Sequence, residues 1–473
     1  LPDNPYNNYY KAFRKVANFL KNADRINYDA VRYDPSKPGM YEEELADVNQ
    51  WKHEVLLLRA FYIFELIKRY GGIPIVSEML DPDVDQSTIK RNTLQECVDE
   101  IVFWCDSTAK VLPPIQANES DYLGRLTSGA AKALKSQVLL YAASDLWNTP
   151  CWAGNYEHPE LISLQTANRN ERWKAASDAA KEVIDMEAVA GYELDSHSNL
   201  FSPNGYKSKE VIFCRRDYES NSFEKINYPI GFDYATGGNC PSQNLVDAFQ
   251  VLENGKAVNF DWSNPNHAAN PYDNRDPRLT SFIIVNNSYF KERNIELWEG
   301  GRDGQGVRNA TPTGYYIKKY LDSNLDLSTD KTSVHSWIFI RLTEIYMNYI
   351  EALNEYSPGH PDIKIYYDKI RERAGMPDLP YGLSQSETRD LIRNERFVEF
   401  CFEGKRWFDL RRWMEGDILG EPLRSVKIIK ENDSFKYTPY VLENRSFNKK
   451  MYFYPIPQTE INIMKHWVQN PLW

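Results

Sequence analysis

The stretch that decides the fold is Trp51–Pro74, WKHEVLLLRAFYIFELIKRYGGIP. Apolar residues recur at i, i+4 and i+7 from Trp51, and further apolar residues widen the stripe, which predicts a helix buried on a broad face. Gly71 and Gly72 followed by Pro74 mark its end, because glycine accepts the left-handed conformation and proline cannot continue the turn. The segment therefore predicts a long central helix that ends at Tyr70.

Two further pairs of helices are predicted from the same kind of pattern. Ser128–Trp147 is followed by Arg172–Met186, and Phe339–Tyr356 is followed by Ile363–Ala374. Alanine and aromatic residues at the packing positions resemble those of tetratricopeptide units, although no strict repeat of about 34 residues is present. The sequence thus predicts a mainly α fold of the α/α type, with a tetratricopeptide-like scaffold of helical pairs.

A long loop-rich segment interrupts the helical pattern. It is rich in Asn, Asp, Gly, Pro, Tyr and Trp and contains only short strand-like runs. So long a stretch with little regular structure indicates functional loops on a helical scaffold. We predict one compact unit with four consecutive parts, namely an N-terminal helical part (1–190), a loop-rich ligand-binding part (191–335), C-terminal helical pairs (336–415) and a strand-and-turn tail (416–473).

Composition excludes several classes of partner and chemistry. The 473 residues carry a net charge of -11, with both signs intermixed, which disfavours binding to nucleic acid. Six cysteines without a C-x-x-C pair predict buried free thiols. Seven dispersed histidines without H-E-x-x-H, and no G-x-S-x-G elbow, remove the common hydrolase motifs. We predict no catalytic residue, no metal and no cofactor.

Three glutamates could be mistaken for an acid/base pair. Glu395, Glu399 and Glu403 stand at i, i+4 spacing, which places them on one face of a helix. Neighbouring cations would keep these carboxylates ionised, whereas a general acid needs a raised pKa. We predict a structural ion-pair network, whose cations would be Arg393, Arg396, Arg406, Arg411 and Arg412.

Two further loops resemble ion-binding or phosphate-binding motifs only in part. Asp81, Asp83 and Asp85 imitate the start of a calcium loop, but the glycine and the final glutamate of that motif are absent, so we predict a solvated acidic loop. Gly300–Gly306 is rich in glycine but lacks the G-K-[ST] ending of a phosphate-binding loop. We predict a mobile loop there, which could close over a ligand.

Segments spread over nearly the whole chain resemble the SusD-like (SusD/RagB) family of outer-membrane nutrient-binding lipoproteins of Bacteroidetes. The main block is Arg393–Trp413, RNERFVEFCFEGKRWFDLRRW. The other matching segments, in chain order, are Leu58–Tyr62 with Arg69–Pro74, Asn274–Leu279, Ile340–Tyr346, and Pro455–Pro457 with Asn470–Trp473.

The resemblance implies a location and partners. Members of the family are held at the cell surface, on the outer membrane, by a lipid at the N-terminus, and they work with a SusC-like TonB-dependent transporter. The anchoring cysteine is not among the residues of this chain, so the anchor is implied by the resemblance alone. The resemblance also implies that ligands bind in an elaborated loop region, without a fixed binding motif.

Candidate ligand-binding residues follow from the chemistry of sugars. Aromatic faces stack on the C–H surface of sugar rings, while amides, carboxylates and guanidinium groups bind the hydroxyls. Trp298 and Tyr272 are the first choices, because both are aromatic residues of the loop-rich part. The remaining candidates are Trp262, Arg302, Asn270 and Asp273 in the same part, and Trp147 and Trp152 after the 128–147 helix.

These features predict a cell-surface protein that captures a glycan and delivers it to a transporter. A peptide-binding member of the same family is the nearest alternative. A glycoside hydrolase on a helical scaffold is the alternative of a different class, and it would need two carboxylates facing each other across an aromatic cleft. A purely structural helical adaptor, which would bind no small ligand, is the third.

Overall fold

Helices dominate the regular structure of the chain, with 46% of residues in helix and 10% in strand, which confirms the predicted mainly α class. The computed structural model describes residues 3–81, 83–115, 124–164 and 168–473. The helices are α1 (Tyr6–Ala23), α2 (Asp29–Arg32), α3 (Met40–Tyr70), α4 (Leu94–Ala109), α5 (Ser128–Ala143), α6 (Arg169–Ile184), α7 (Glu187–Ala190), α8 (His197–Leu200), α9 (Ser222–Asn227), α10 (Gln243–Ala248), α11 (Pro265–Ala269), α12 (Arg278–Phe282), α13 (Leu342–Tyr356), α14 (Pro361–Ala374), α15 (Gln385–Glu399), α16 (Arg406–Arg412), α17 (Gly416–Gly420) and α18 (Gln458–Ile463).

The strands are short and form two-stranded antiparallel sheets. They are β1 (Val211–Arg216), β2 (Val251–Glu253), β3 (Lys256–Val258), β4 (Ile283–Ile284), β5 (Tyr289–Phe290), β6 (Arg293–Asn294), β7 (Tyr316–Ile317), β8 (Ser336–Arg341), β9 (Leu423–Glu431) and β10 (Ser434–Glu443). The pairs are β1 with β8, β2 with β3, β4 with β7, β5 with β6 and β9 with β10. Short 3₁₀ turns cover Gln86–Thr88, Asp145–Trp147, Pro150–Ala153, Pro159–Leu161, Gly205–Lys207 and Lys449–Tyr452.

Trp51–Tyr70 of the quoted stretch forms the last 20 of the 31 residues of α3, which ends at Tyr70 as predicted but begins earlier, at Met40. Gly71 has a φ of 68°, in the left-handed region that suits glycine. A Cβ atom at Gly71 would collide with the carbonyl oxygen of Leu161, so the close approach of two backbones also requires glycine there. The sequence therefore predicted the end of this helix correctly.

The predicted helical pairs are present, although several bounds differ. Helix α5 ends at Ala143 rather than at Trp147, and α6 covers Arg169–Ile184 rather than residues 172–186. Helix α5 packs against α6, and α13 packs against α14. The prediction of a helix from Phe339 is wrong, because Ser336–Arg341 is strand β8, paired antiparallel with β1. Alternate residues of β8 are buried up to Phe339, which is the two-residue period of a strand. Helix α13 begins only at Leu342.

The chain forms two compact units, where the sequence predicted one. The first unit comprises Leu1–Gly191, Leu410–Gly416 and Asn448–Trp473, and the second comprises Tyr192–Asp409 and Asp417–Phe447. The C-terminal residues return to the first unit, which a division into consecutive parts does not allow for. No helix in the described ranges is both long and apolar enough to cross a bilayer.

Within the first unit, Arg91 ties two of the family segments together. Its guanidinium group donates to the carbonyl oxygens of Tyr70 at 3.0 Å and Gly72 at 2.9 Å. The same group donates to the carbonyl oxygen of Val468 at 2.7 Å and to the side-chain oxygen of Asn470 at 2.8 Å. The segments around residues 69–74 and 470–473 therefore meet at the half-buried guanidinium group of Arg91.

The second unit has its own apolar core, drawn from segments between Leu200 and Ile428. The tail, which was predicted as short strands and turns, instead contributes the long hairpin β9–β10. Val426 and Ile428 of β9 are fully buried in this core, which holds the hairpin in place. The six cysteines are free, and four of them are buried, whereas Cys240 is half-buried and Cys151 is exposed.

Candidate functional site

Four half-buried aromatic side chains form a continuous row on the second unit, which we call the aromatic strip: Trp298, Phe435, Tyr437 and Tyr272. The ring centroids of Trp298 and Phe435 are 5.2 Å apart, and those of Phe435 and Tyr437 are 6.4 Å apart. Tyr437 meets Tyr272 edge to face at 5.3 Å. One side of each ring packs against the core, so the strip is rigidly supported.

The hairpin β9–β10 explains why two of these rings lie together. Phe435 and Tyr437 are two residues apart on β10, so both project from the same face of the strand. In the register of the hairpin, Tyr437 pairs with Ile428 and Phe435 pairs with Lys430. Because Ile428 is buried, this face of the hairpin turns towards the core and its aromatic residues lie at the edge of the core.

Polar groups accompany the strip. The ammonium group of Lys430 lies 4.8 Å from the ring centroid of Trp298. Asn286 donates a hydrogen bond to the hydroxyl of Tyr437 at 3.2 Å. Burial, with a smaller contribution from the charge of Asp273, raises the pKa of Tyr437, so its hydroxyl stays protonated at neutral pH. Aromatic faces beside amide, hydroxyl and ammonium groups are what a carbohydrate site requires.

The glycine-rich loop beside Trp298 is anchored rather than free at its centre. The Asp303 carboxylate is fully buried and forms an ion pair with Arg293 at 2.6 Å. It also accepts hydrogen bonds from the backbone amides of Gly231 at 3.1 Å and Glu296 at 3.0 Å. These contacts hold Asp303 and its neighbours in place, so they do not favour the predicted mobility for the whole loop. Residues 299–300 and 306–309 are exposed, whereas Gly301, Asp303 and Gly304 between them are buried.

A shallow hollow of about 390 Å³ lies next to the same loop. Glu299, Gln305, Lys427 and Tyr440 are among its lining residues. Lys427 pairs with Glu299 at 3.0 Å, and both side chains are largely exposed. The hollow thus adds a polar surface of mixed charge beside the strip.

The predicted residues are only partly brought together. Trp298 and Tyr272 belong to the strip, and Asp273 is exposed beside it. Trp262 lies in a separate cluster, where its ring contacts Phe260 at 5.1 Å. Asn270 and Arg302 are exposed, and the carbon stem of Arg302 lies against the backbone of Gly231.

The prediction that Trp147 and Trp152 bind ligand needs correction, because both side chains belong to the core of the first unit. Trp147 is only 1% exposed and contacts Tyr141 at a centroid distance of 5.7 Å. Trp152 is 6% exposed and packs between Tyr452 and Phe453. Burial leaves neither ring an open face for a ligand. The residues after the helix include the aromatic and amide side chains that a sugar site needs. In the folded chain, however, the C-terminal residues Tyr452 and Phe453 cover Trp152.

Phe435 and Tyr437 are the residues of the strip that sequence reasoning missed. Both lie in the segment that was predicted as a tail. A signal was available, since Phe435 and Tyr437 alternate with the polar residues Lys436 and Thr438. This alternation is typical of a half-buried strand with one aromatic face.

The three glutamates of the family block are buried in an ion-pair network, as predicted. Glu395 and Glu399 lie on α15, but that helix ends at Glu399, so Glu403 does not share its face. Of the proposed cations, Arg396 pairs with Asp409 at 3.2 Å. Cations elsewhere in the chain also contact the three glutamates, among them Arg278, Arg341, Arg371, Arg373 and Lys319.

The pKa values in this network explain its role. Burial alone would raise the pKa of Glu403, but the charges of Arg341 and Lys319 outweigh burial and lower it to about 2. The pKa of Glu399 is likewise held well below its usual range, because Arg373 and other cations outweigh the effect of burial. These carboxyls therefore lack the raised pKa that a general acid needs.

One carboxyl next to a predicted site residue does have a raised pKa. Burial raises the pKa of Asp247 even though its carboxylate accepts hydrogen bonds from Gln243 at 2.7 Å and Trp262 at 3.1 Å. Arg424 contacts its other oxygen at 3.2 Å. Asp247 is therefore the residue at which the alternative of a hydrolase can be tested.

Fold and site together define a helical scaffold that presents aromatic rings on loops and on a hairpin. The chain belongs to the SusD family, since the family model described as "SusD family" matches residues 209–473. A second model, described as "Starch-binding associating with outer membrane", matches residues 2–140.

Relatives with known names share about a fifth of their residues with this chain. A SusD-like protein P2 from Formosa agariphila is 22% identical over 81% of this chain and 68% of the relative. A SusD-like protein from Bacteroides ovatus is 21% identical over 87% of this chain and 69% of the relative.

Solved structures share the same fold. A SusD-like protein from Bacteroides fragilis superimposes with a TM-score of 0.77 at 24% identity, covering 100% of this chain and 86% of that one. A SusD-like carbohydrate binding protein from the same organism has a TM-score of 0.71 at 19% identity, covering 88% of this chain and 79% of that one. These likenesses establish the architecture for this chain.

Proposed function

We propose that this protein is a glycan-binding protein of the outer-membrane surface, which captures an oligosaccharide or polysaccharide and delivers it to a SusC-like TonB-dependent transporter. The observation that carries the proposal is the aromatic strip of Trp298, Phe435, Tyr437 and Tyr272. Its rings are held in place by the core and accompanied by hydrogen-bonding groups, so a sugar chain could stack along them without reorganising the protein.

The family supports the location and the partner. One matching family model is described by association with the outer membrane, and a relative of the same fold is named as a carbohydrate binding protein. A lipid at the N-terminus of the mature protein would supply the attachment. Recovery of a TonB-dependent transporter with the lipidated protein from outer membranes would test the partnership, and a protein purified without any such barrel would contradict it.

The ligand class is tested by titrating the protein in parallel with soluble glycans and with peptides. We expect saturable binding to at least one glycan, and this binding should weaken in a Tyr437→Ala variant. We choose Tyr437 for this substitution because none of the other proposals depends on it. Saturable binding to peptides alone would contradict the glycan proposal and favour the peptide-binding alternative, while a protein that binds neither ligand would favour a structural adaptor.

We also propose that capture leaves the glycan chemically unchanged. The network glutamates have lowered pKa values, and Asp247 is occupied by three partners. Incubation of the protein with a glycan that it binds should yield no shortened products by chromatography. Turnover that disappears in an Asp247→Asn variant would overturn this part of the proposal.

A further inference from the structure

A second cavity of the second unit lies outside the aromatic strip. It has a volume of about 340 Å³ and is lined by residues of α8, by the end of α12 and by the loop after β7. Small-molecule sites range from roughly 300 to 1,000 Å³, so this cavity suits a compact ligand of one or two rings. We call it the His197 cavity.

The inner wall of the His197 cavity is aromatic. Phe201 and Phe282 meet edge to face with centroids 5.8 Å apart, and the ring of His197 lies 5.0 Å from that of Phe282. At the mouth, Ser281 and Asn324 are exposed. Within the described chain, the side-chain amide of Asn324 makes no hydrogen bond. Both phenylalanine rings are buried, and Lys319 Nζ lies 4.2 Å and 4.3 Å from their centroids, so they close the inner end of the cavity. The hydroxyl and amide groups at the rim are the groups that can bind polar atoms of a ligand.

The protonation of His197 is set by its neighbour. Its Nε2 atom lies 3.1 Å and 3.2 Å from the two oxygens of Glu399, which is ionised because its pKa is well below the usual range. Burial lowers the pKa of His197, so the ring is neutral at pH 7 and its proton is on Nε2, where it donates to Glu399. Nδ1 therefore keeps its lone pair, for which the described residues supply no donor, and it can accept a hydrogen bond from a ligand hydroxyl.

Lys318 gives the cavity an uncompensated positive charge. Lys318 as a residue is half-buried, and its ammonium group donates at the surface to the carbonyl oxygen of Thr280 at 2.9 Å. No carboxylate of the described chain lies within ion-pair distance of it. Asp322 also lines the cavity and keeps its negative charge, but both of its oxygens are engaged by protein donors, the backbone amide of Asn324 at 3.0 Å and the hydroxyl of Ser333. A partly desolvated cation without a counter-ion would be stabilised by an anionic ligand.

We propose that the His197 cavity is a second carbohydrate site, which takes a sugar residue bearing a carboxylate. The carboxylate would pair with Lys318, and the hydroxyls would meet His197 Nδ1 and the side chain of Asn324, above the buried rings of Phe201 and Phe282. The inference rests on the proposed carbohydrate-binding function for its class of ligand. It is carried by residues that the aromatic strip does not contain.

The test is calorimetric titration of the whole protein with glucuronate, glucose and sodium sulfate. We expect glucuronate to bind at one site about tenfold more tightly than glucose, as a charge-assisted hydrogen bond implies. Lys318→Met should lose about tenfold of this affinity, whereas Lys318→Arg keeps most of it. Asn324→Trp should block the mouth and abolish binding. The matched control is Lys256→Met, an exposed lysine elsewhere in the unit, which should bind as the wild type does.

Several results would overturn the inference. These are no binding of glucuronate, equal affinity for glucose, unchanged affinity in Lys318→Met, or sulfate binding as tightly as glucuronate, which would indicate a plain anion site. Trp298→Ala separates the two proposals, because it should leave glucuronate binding intact. If polysaccharide binds to the strip and glucuronate fails to bind, only the cavity inference fails. If glucuronate binds and no polysaccharide does, the proposed capture function fails.

Discussion

Trp298 has two roles at the scale of a single residue. Part of its ring packs on Phe435 and the core, and the remainder is open beside Lys430. The same residue type at Trp147 and Trp152 is buried instead. Residue type alone therefore says little about which aromatic ring meets a ligand, and each ring needs its own substitution.

Trp298→Ala should weaken glycan binding by about 1–3 kcal/mol, the range measured for bases stacked on aromatic side chains. Because the ring also supports Phe435, we expect a small fall in melting temperature as well. Calorimetric titration measures the affinity, and thermal unfolding measures the stability. Tyr218→Ala is the matched control, since this ring is 96% exposed and lies outside the strip. An equal loss of affinity in both variants would contradict a specific role for Trp298.

Trp147→Ala should behave in the opposite way. Removing a fully buried indole leaves a cavity, so we expect the free energy of unfolding to fall by about 3–5 kcal/mol. Urea unfolding measures this loss. Glycan affinity, measured at a temperature where the variant is folded, should equal that of the wild type. Weaker binding by a stable Trp147→Ala protein would restore this residue to the site.

At the scale of elements, the site depends on how a loop is attached to a hairpin. The glycine-rich loop carries Trp298 to the hairpin β9–β10, which carries Phe435 and Tyr437. Asp303 fixes the loop through Arg293 and two backbone amides. The position of Trp298 relative to the hairpin thus rests on one buried carboxylate.

Asp303→Ala should lower the free energy of unfolding by about 2–3 kcal/mol, because it removes several hydrogen bonds to a charged group. We also expect faster proteolytic cleavage within residues 300–310 and weaker glycan binding. Glu299→Ala is the control in the same loop, since its exposed pair with Lys427 should contribute less than about 1 kcal/mol. Equal protease resistance of both variants would show that Asp303 does not anchor the loop.

For the whole molecule, the buried network makes stability depend on pH. In the folded protein the pKa of Glu403 is about 2, compared with its ordinary value of 4.5, and that of Glu399 is also lowered. An unfolded chain therefore binds more protons than the folded one in this range, so stability rises with pH. The contribution of the network is complete above about pH 5 and is lost as the pH falls towards 2.

We expect the melting temperature to fall steeply between pH 5 and pH 3, measured by scanning fluorimetry in buffers of equal ionic strength. Glu403→Gln should be less stable at pH 7 by about 3–5 kcal/mol, because it leaves buried cations without a partner, and its melting temperature should depend less on pH. A wild-type melting temperature that stays constant from pH 7 to pH 3 would contradict this account.

Much of the architecture follows from local sequence patterns. The end of α3, the pairing of α5 with α6 and the structural role of Glu395 and Glu399 were all predicted, because periodicity, helix ends and charge spacing act over a few residues. Tertiary structure alone decided which rings form the strip, since Tyr272, Trp298 and Phe435 are far apart in the chain. It also decided that Glu399 pairs with Arg278 and Arg373 rather than with adjacent arginines. Burial strengthens such long-range contacts, and no local pattern encodes them.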